Sequence, residues 1–570
     1  MLKLYRGLKK YVGQLALLVL LMIGQVFSML MLPNFMSAIR NNGVIAGNID
    51  YRASTGIIML CMTLVGSACA IGVGYFASKV GVGFCTDVRK KLFHKVGQFT
   101  LAEFDKVGTS SLTTRTTNDI MQIQDFTIML FRVVVLAPIM CVGGIALAVQ
   151  KNVQLAWVLI ACMPLVLVFL VLVMRKAFPV FRSMQSKLDD LNVVMRENIT
   201  GVRVIRAFTA EKREEQRFEK TNEVLTKTSI RSQILMSTLM PLLMLIINMG
   251  TIAVVWFGGQ QIAQGTLEVG DLMAFIQYLV LIMYALVMMS MIFAMMPRAS
   301  VCADRINEVM DLEIDIKDSE HPKEPQEKTG VVEFKDVTFA YSEGEHPAIS
   351  NISFKAEPGK TTAIIGATGS GKSSVIMLIP RLYNASSGVV TVDGVDVREY
   401  DIKELRSRIG YVPQKAVLFS GTIKGNIAYE NEEMPMEQVE RAASIAQADV
   451  FIKDKDKGYD DPIAQGGSNV SGGQKQRLAI ARALAGEASI YIFDDSFSAL
   501  DFKTDAALRK AIKENTKGAT VIIVAQRINT IMDADNILVI DDGKIIGQGT
   551  HDELVKTCDV YAEIARTQMS

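Results

Sequence analysis

The motif Gly366-Ala-Thr-Gly-Ser-Gly-Lys-Ser373 is the strongest indication of how the second half of this 570-residue chain folds. It follows a β-branched run at 361–365 and precedes an apolar stretch at 374–382, so it predicts a tight turn between a strand and a helix. Its glycines let successive backbone N–H groups wrap phosphate oxygens at a helix N-terminus. In such a turn Lys372 reaches the β- and γ-phosphates of a nucleotide, and Ser373 ligates Mg²⁺. The stretch therefore predicts a phosphate-binding P-loop.

Short β-branched runs on both sides of the P-loop alternate with helical stretches. These runs are residues 331–334, 361–365, 389–392, 490–493, 520–524 and 537–540. The alternation predicts an α/β domain.

Two further motifs follow the P-loop. The run Ile490-Tyr-Ile-Phe-Asp494-Asp495 predicts a buried strand that ends in two carboxylates. We expect Asp494 to hold Mg²⁺ through water and Asp495 to stand where an attacking water is polarised. The run Val470-Ser-Gly-Gly-Gln-Lys-Gln-Arg477 opens a helix, and its Ser-Gly-Gly turn offers free N–H groups and a hydroxyl to an anion.

The first half of the chain is strongly apolar. Hydrophobic residues make up 50% of the whole chain, charged residues 21%, and the mean hydropathy is +0.28, which argues against a disordered chain or an ordinary soluble enzyme. The net charge of +1 gives no indication of a nucleic-acid partner. Six stretches are long enough to cross a bilayer: residues 15–33, 55–79, 130–149, 155–174, 236–258 and 272–296.

Lysine and arginine are distributed unequally between the segments that join these spans. Residues 1–14, 81–128 and 175–234 carry 23 of them, whereas residues 34–54, 150–154 and 258–271 carry 3. This asymmetry predicts a multi-pass protein of the cell membrane with both termini cytoplasmic. Both long basic segments have helical character, so we expect the spans to extend into the cytoplasm.

Residues 311–330 hold ten charged residues and two prolines, a composition typical of an exposed linker. We therefore expect a transmembrane domain at 1–310, a linker at 311–330 and a soluble domain at 331–570.

The three motifs, in this order and behind six apolar segments, resemble an ATP-binding cassette (ABC) exporter of the half-transporter type. The resemblance covers nearly the whole chain. It implies an α-helical six-span transmembrane domain fused to an α/β P-loop (RecA-like) nucleotide-binding domain with a helical subdomain. It also implies an ABC-type transporter ATPase that binds ATP and Mg²⁺. The turns near residues 103–110 and 208–214 are similar to the family's coupling helices, and Ser498-Ala-Leu-Asp501 to its dimer-communication loop.

The resemblance assigns site residues one by one. Tyr341 is similar to the aromatic residue that stacks on adenine. Gln414, in Tyr-Val-Pro-Gln, is similar to the glutamine that contacts Mg²⁺ beside Ser373 and Asp494 and links to the membrane domain. The remaining nucleotide contacts are assigned to Gly366, Ala367, Thr368, Gly369, Ser370, Gly371, Lys372, Ser374 and, from the signature motif, Ser471, Gly472, Gly473 and Gln474.

The chain departs from the family pattern at two catalytic positions. The family has Glu after the Mg²⁺-binding aspartate, where this chain has Asp495, and a switch His where it has Gln526. A shorter carboxylate and an amide that carries no proton predict an ATP site that binds well and hydrolyses poorly, because losing a positioned base costs about 10²–10⁴-fold in rate. Gln465 also replaces a commonly acidic residue ahead of the signature.

These departures predict a bacterial heterodimer of the multidrug type. Each ATP site in the family pairs the P-loop of one cassette with the signature of the other. The chain would then supply its signature to the active site of a second ABC half-transporter that carries Glu and His. Two alternatives remain open: a regulatory subunit without turnover of its own, and a homodimeric, slow exporter.

The transported compound is open at this stage. Small hydrophobic or amphipathic drugs are the leading expectation, which rests mainly on the resemblance, and lipids or short peptides fit the same architecture. Methionines are frequent in the spans, especially at 236–249 and 283–296. They suit an adaptable pocket, and they equally suit lipid-facing or packed positions.

Overall fold

The chain forms two compact units, and each is described by itself. The computed structural model describes residues 1–325, 327, 329–341 and 346–569. The first unit comprises Met1–Gly97 and Thr109–Leu312, and the second comprises Gln98–Gly108 and Glu313–Ser570. Gln326 and Lys328, in the expected linker, lie outside the described residues.

Long helices build the first unit. In chain order the helices before residue 312 are α1 Leu2–Tyr5, α2 Val12–Ala38, α3 Ile49–Gly97, α4 Leu101–Val107, α5 Thr109–Thr114, α6 Ile120–Val133, α7 Leu136–Lys151, α8 Val153–Thr200, α9 Val202–Ala207, α10 Glu211–Ser237, α11 Leu239–Ala263 and α12 Val269–Asp311. A 3₁₀ turn fills Arg6–Tyr11, and π-helical turns fill Ile39–Ile45 and Arg115–Asp119. Of the twelve helices, α4 alone belongs to the second unit.

Six helical segments of the first unit are long and apolar enough to cross a membrane. They are Lys3–Ile45, Ile49–Gly97, Thr109–Lys151, Val153–Thr200, Glu211–Ala263 and Val269–Met289. This confirms the six-span expectation. As the basic segments indicated, α3 and α8 run far beyond their apolar parts, although the helix breaks near Gly201 and again before Glu211.

The side of α12 that packs into the bundle is apolar at helical spacing. Phe275, Tyr278, Leu279 and Ile282 are fully buried, and they recur at intervals of three, one and three residues. Outward-facing side chains elsewhere in the unit are also apolar, and Ile71 is 74% exposed. A surface of this kind is stable against lipid rather than water.

Two sheets form the frame of the second unit. Its strands are β1 Val332–Phe339, β2 Ile349–Ala356, β3 Thr361–Ile365, β4 Ser387–Val392, β5 Val395–Asp396, β6 Ile409–Val412, β7 Gly421–Thr422, β8 Pro462–Ile463, β9 Ile490–Asp494, β10 Thr520–Val524, β11 Asn536–Asp541 and β12 Lys544–Gly549. The larger sheet has the order β12-β11-β3-β10-β9-β6, and the smaller one has the order β2-β1-β4-β5. All strands of the larger sheet are parallel except β12.

Short helices surround these sheets. They are α13 Lys372–Leu378, α14 Ile402–Ser407, α15 Ile423–Ile427, α16 Met436–Ile445, α17 Asp449–Lys453, α18 Gly472–Ala485, α19 Phe502–Asn515, α20 Ile528–Ile531, α21 His551–Thr557 and α22 Asp559–Met569. The carboxyl ends of the neighbouring strands β3, β10 and β9 meet at one edge of the larger sheet. Ligands bind at such edges in open α/β sheets. The predicted fold class is confirmed.

Candidate nucleotide site

The P-loop lies between β3 and α13 and is shaped by its glycines. Gly369 and Gly371 have φ of +85° and +97°, which other L residues rarely adopt. A Cβ on Gly366 would lie 2.0 Å from the Ile540 carbonyl oxygen, so only glycine fits there. The loop therefore brings its backbone amides close to whatever it binds.

Two polar side chains of the loop fit a phosphate ligand. Lys372 Nζ donates to the carbonyl oxygens of Gly366 and Ala367, at 3.0 and 2.7 Å, so the ammonium is held inside the loop. Burial lowers the pKa of Lys372, while Asp495 and Asp494 raise it. Ser370 Oγ is buried and has no hydrogen-bond partner among the described residues. Phosphate oxygens would satisfy these donors.

Oxygen ligands suited to Mg²⁺ lie beside the loop. Ser373 Oγ donates to Asp494 Oδ1 at 3.1 Å, which joins the start of α13 to the end of β9. Burial raises the pKa of Asp494, and the hydrogen bond from Ser373 opposes that rise. A hydroxyl and a carboxylate are ligands that Mg²⁺ prefers, and Gln414, whose Nε2 lies 3.4 Å from Asp495 Oδ2, carries an amide oxygen that Mg²⁺ also accepts. These residues fit the metal that the sequence predicted.

Asp495 is held in an uncommon backbone conformation. Its φ is +45°, in the left-handed region, and its N–H donates to the Val524 carbonyl oxygen at 2.9 Å. Ser498 Oγ donates to the Asp495 carbonyl oxygen at 3.0 Å. The loop after β9 is therefore fixed against β10, and it sets the direction of the Asp495 side chain.

Two amides converge on the Asp495 carboxylate. Gln526 Nε2 donates to Asp495 Oδ2 at 3.0 Å, and Gln414 Nε2 lies 3.4 Å from the same oxygen. Burial raises the pKa of Asp495, while the hydrogen bond from Gln414 and the charge of Lys372 lower it. Asp495 and Gln526, at the two predicted catalytic positions, therefore form one cluster with Gln414, and in this cluster neutral amide donors occupy one carboxylate oxygen.

Gln568, on α22, braces the Gln526 loop and was not predicted from the sequence. Its Nε2 donates to the Gln526 carbonyl oxygen at 2.9 Å, and its Oε1 accepts from the Ile528 N–H at 2.8 Å. Because it contacts only backbone atoms some 40 residues away in the chain, no sequence motif points to it.

Tyr341 stands at the edge of the P-loop helix. Its hydroxyl lies 3.0 Å from Ser374 Oγ, and its ring makes edge contacts with Phe339 and Tyr383. The ring is 38% exposed, which leaves it accessible to a stacking partner. Residues 342–345, which follow it, lie outside the described residues.

The signature motif is a capped helix start. Ser471 Oγ accepts from the Gln474 N–H at 3.3 Å, and Gln474 Oε1 accepts from the Ser471 N–H at 3.0 Å. This capping box begins α18, which contains Gly472 and Gly473. None of the hydrogen bonds among the described residues joins residues 471–474 to the P-loop.

A cavity of about 520 Å³ lies among the helices of the first unit. Its lining is mainly apolar and includes Met129 and Met288, and Asp125 and Arg132 supply charge. Gln25 also lines the cavity, and its buried Oε1 has no hydrogen-bond partner among the described residues. Of the methionines singled out from the sequence, those at 240, 244 and 249 on α11 are more than half exposed and do not line this cavity.

The P-loop, the paired aspartates and the capped signature on this fold, together with six apolar helices, define an ATP-binding membrane transporter. Comparison with known proteins gives the family. Residues 15–286 match the family of the ABC transporter transmembrane region, and residues 349–498 match the ABC transporter family. The chain belongs to the ABC transporter family.

Relatives match the chain along its full length. An ABC transporter ATP-binding protein of Mycobacterium tuberculosis is 41% identical over 99% of this chain and 97% of its own. A second, from Bacillus subtilis, is 38% identical over 98% and 97%. The ATP-dependent lipid A-core flippase of Vibrio vulnificus is 29% identical over 99% and 97%. The solved structure of a bacterial Atm1-family ABC exporter with ATP bound has a TM-score of 0.80 over 99% of both chains, at 24% identity, which supports the fold.

Proposed function

We propose that this chain is one half of an ATP-driven exporter whose own ATP site binds Mg-ATP and hydrolyses it slowly. The observation that carries the proposal is the cluster of Gln526 and Gln414 on the Asp495 carboxylate. A general base must be free to accept a proton from water. Here one carboxylate oxygen already accepts from two amides, and neither amide can carry the proton away.

Nucleotide binding is independent of these departures. Gly366–Ser374 supply the loop amides, Lys372 and the magnesium hydroxyl, and Asp494 lies 3.1 Å from that hydroxyl. Bound Mg²⁺ neutralises charge on the β- and γ-phosphates. In this proposal Lys372 and the loop amides orient the phosphates, Tyr341 stacks on the base, and Asp495 and Gln526 hold the γ-phosphate end without efficient proton removal.

The partner we propose is a second half-transporter with Glu and His in place of Asp495 and Gln526. The capping box at Ser471 and Gln474 supports this, because it keeps an ordered helix start in which the N–H groups of Gly472 and Gly473 precede the first intrahelical hydrogen bonds and can meet an anion. Such a signature can complete a catalytic site on the partner. The alternatives are a homodimer with two slow sites and a regulatory subunit whose bound ATP acts on the partner without turnover.

The proposed substrates are hydrophobic or amphipathic compounds, including drugs. The cavity lined by Met129, Met288 and Arg132 supports this, because it combines adaptable apolar walls with a few polar groups. A lipid is the second candidate, favoured by the full-length similarity to the Vibrio vulnificus flippase. Short peptides would fit the architecture as well. If a panel of dyes and drugs fails to stimulate ATP turnover by the assembled complex, the drug proposal is wrong.

We also propose a location in the cell membrane with both termini and the cassette in the cytoplasm. The excess of 23 over 3 basic residues on one side of the spans supports this orientation. Protease treatment of sealed vesicles of known sidedness tests it, since a cassette inside the vesicle would be protected.

The deciding experiment measures ATP turnover and ATP affinity of the chain alone in lipid. We expect tight binding with little turnover. The variant D495E/Q526H should raise turnover at least tenfold with unchanged affinity, and Lys372→Ala, as the control, should lose affinity. Brisk turnover by the unaltered chain would refute the impaired site. Co-expression with a candidate partner then tests assembly, and cross-links only between copies of this chain would refute the heterodimer.

A further inference from the structure

A second cavity of the first unit lies between the N-terminal segment, α3 and α12. Its volume is about 650 Å³, within the range of small-ligand sites. The segment that forms one wall is fixed at both ends: Lys10 Nζ lies 2.9 Å from Asp87 Oδ2 on α3, and Lys3 pairs with Asp311 on α12. Gly7 approaches so closely that an added Cβ would lie 3.3 Å from the Phe84 ring. The cavity is therefore a built feature of the fold.

The lining of this cavity is strongly basic. It contains Lys3, Arg6, Lys10, Lys90 and Lys91 and one carboxylate, Asp87, which gives a net charge of +4. Lys3 and Lys10 have carboxylate partners. Arg6, Lys90 and Lys91 pair with no carboxylate among the residues that the structure describes. Three cations without an ion-pair partner among the described residues therefore line one concavity from two walls, and its one carboxylate, Asp87, is paired with Lys10.

Apolar side chains share the lining with these cations. Leu4, Phe84 and Met310 contribute to the walls, and Phe84 is buried. The cavity also lies where the chain leaves the membrane: α2 begins its apolar run directly after Lys10, and Asp87 is the first carboxylate that follows the apolar run of α3. A ligand here would need an anionic head and an apolar body.

We propose that this cavity binds the phosphate headgroup of an anionic phospholipid, with the acyl chains against the apolar wall. The preference for basic residues on the cytoplasmic side explains scattered lysines and arginines at a membrane face, but it does not explain three cations without ion-pair partners around one concavity that is open to solvent. Basic pockets between helices at the membrane surface suit such headgroups. The site is separate from the cavity that holds Arg132, and its occupant stabilises the N-terminal segment against α3.

The test uses the purified full-length chain and phosphatidylglycerol, with phosphatidylcholine as the uncharged comparison, and measures bound lipid by native mass spectrometry. Each basic side chain near an anionic surface contributes about fivefold in affinity, so K90Q/K91Q should weaken phosphatidylglycerol binding by roughly 25-fold. The matched control is K9Q/K95Q, which also removes two positive charges, one from the N-terminal segment and one from α3, at positions outside the cavity lining. It should change binding less than twofold.

Further arms separate the outcomes. Arg6→Gln, on the opposite wall, should weaken binding about fivefold and covers the case in which K90Q/K91Q does not fold. Displacement of the lipid by millimolar water-soluble glycerol phosphate would assign the site to a free phosphate and overturn the proposal. Equal loss in K9Q/K95Q, or equal binding of phosphatidylcholine, would also overturn it.

Discussion

One of the hydrogen bonds that attach α4 to the rest of the second unit can be removed cleanly. Tyr383 Oη donates to Asp105 Oδ2 at 2.7 Å, and Leu101 and Ala102 pack against the core cluster that contains Tyr383. Burial raises the pKa of Tyr383, and the contact with Asp105 raises it further, so the hydroxyl remains a donor at the pH of any ordinary assay. Tyr383→Phe deletes this bond and keeps the ring.

The magnitude follows from the partners of the bond. A hydrogen bond to a charged group contributes about 1.5–3 kcal/mol, and the exposure of Asp105 to water places this one near 1.5 kcal/mol. A free-energy change of about 1.4 kcal/mol is tenfold in an equilibrium constant. The population with α4 detached should therefore rise about tenfold in Tyr383→Phe.

Hydrogen exchange of the full-length protein in lipid measures this population. Amides of residues 101–107 should exchange about tenfold faster in Tyr383→Phe, because exchange of these amides reports local opening. Tyr341→Phe is the matched control: it removes a hydroxyl from the same aromatic cluster, which bonds Ser374 and not α4. Unchanged exchange in Tyr383→Phe, or an equal rise in Tyr341→Phe, would show that the Tyr383–Asp105 hydrogen bond does not hold α4 in place.

Three more predictions concern other parts of the chain. Gly371→Ala should lower ATP affinity at least tenfold in equilibrium binding, because the added Cβ would lie 2.5 Å from a carbonyl oxygen. Gly369→Ala should lower the affinity less, because no atom lies within 4 Å of its added Cβ. Equal losses of affinity in the two variants would contradict this explanation. Burial raises the pKa of Glu103, but hydrogen bonds from Thr100 and a backbone N–H outweigh it, and the net effect is a lowered pKa. The ionised Glu103 carboxylate therefore stabilises the fold fully above about pH 4.5, and this stabilisation is lost as the pH falls through the lowered pKa. Exchange in α4 should accordingly be faster in Glu103→Gln at pH 7 and alike in both proteins well below pH 4.5, and a constant difference would contradict this. Lys151 Nζ lies 2.5 Å from the half-buried Asp271 carboxylate, and Lys151→Met removes this cation. The change should lower the free energy of unfolding by about 1–3 kcal/mol, measured as a lower thermal midpoint, and adding Asp271→Asn should partly restore the midpoint. Additive effects of the two substitutions would contradict an ion pair between them.

Local sequence patterns determine most of the fold, so the strands, the P-loop and the membrane spans can be predicted from the sequence. Each predicted strand run lies within or overlaps an observed strand, and residues 361–365 and 520–524 coincide with β3 and β10. Glycine spacing makes the P-loop recognisable, because the positive φ values disfavour other residues and the close approach at Gly366 leaves no space for a side chain. The six spans follow from apolar length alone.

Contacts between residues far apart in the chain cannot be predicted from those local patterns. The brace from Gln568 depends on where α22 lies in space, and a single exposed glutamine carries no periodic signal. The distribution of methionines predicted neither the cavity lining on α6 nor the exposure on α11, because methionine suits lipid and core equally. Arg132, one residue before the end of α6, also lines the cavity among the spans.

The second unit is not continuous in the chain, and this has a consequence for how the protein is made. Its α4 segment is synthesised more than 200 residues before the rest of the unit, since Gly108 precedes Glu313 by that distance. The newly made α4 segment must stay exposed in the loop between two membrane spans until the ribosome has synthesised β1 to β4 and Tyr383, against which α4 packs. A cassette expressed from residue 313 onward would lack α4, and the surface around Tyr383 that α4 covers would be exposed to water or to another chain. Completion of the soluble half therefore depends on correct delivery of the first half, which makes it a checkpoint on biogenesis.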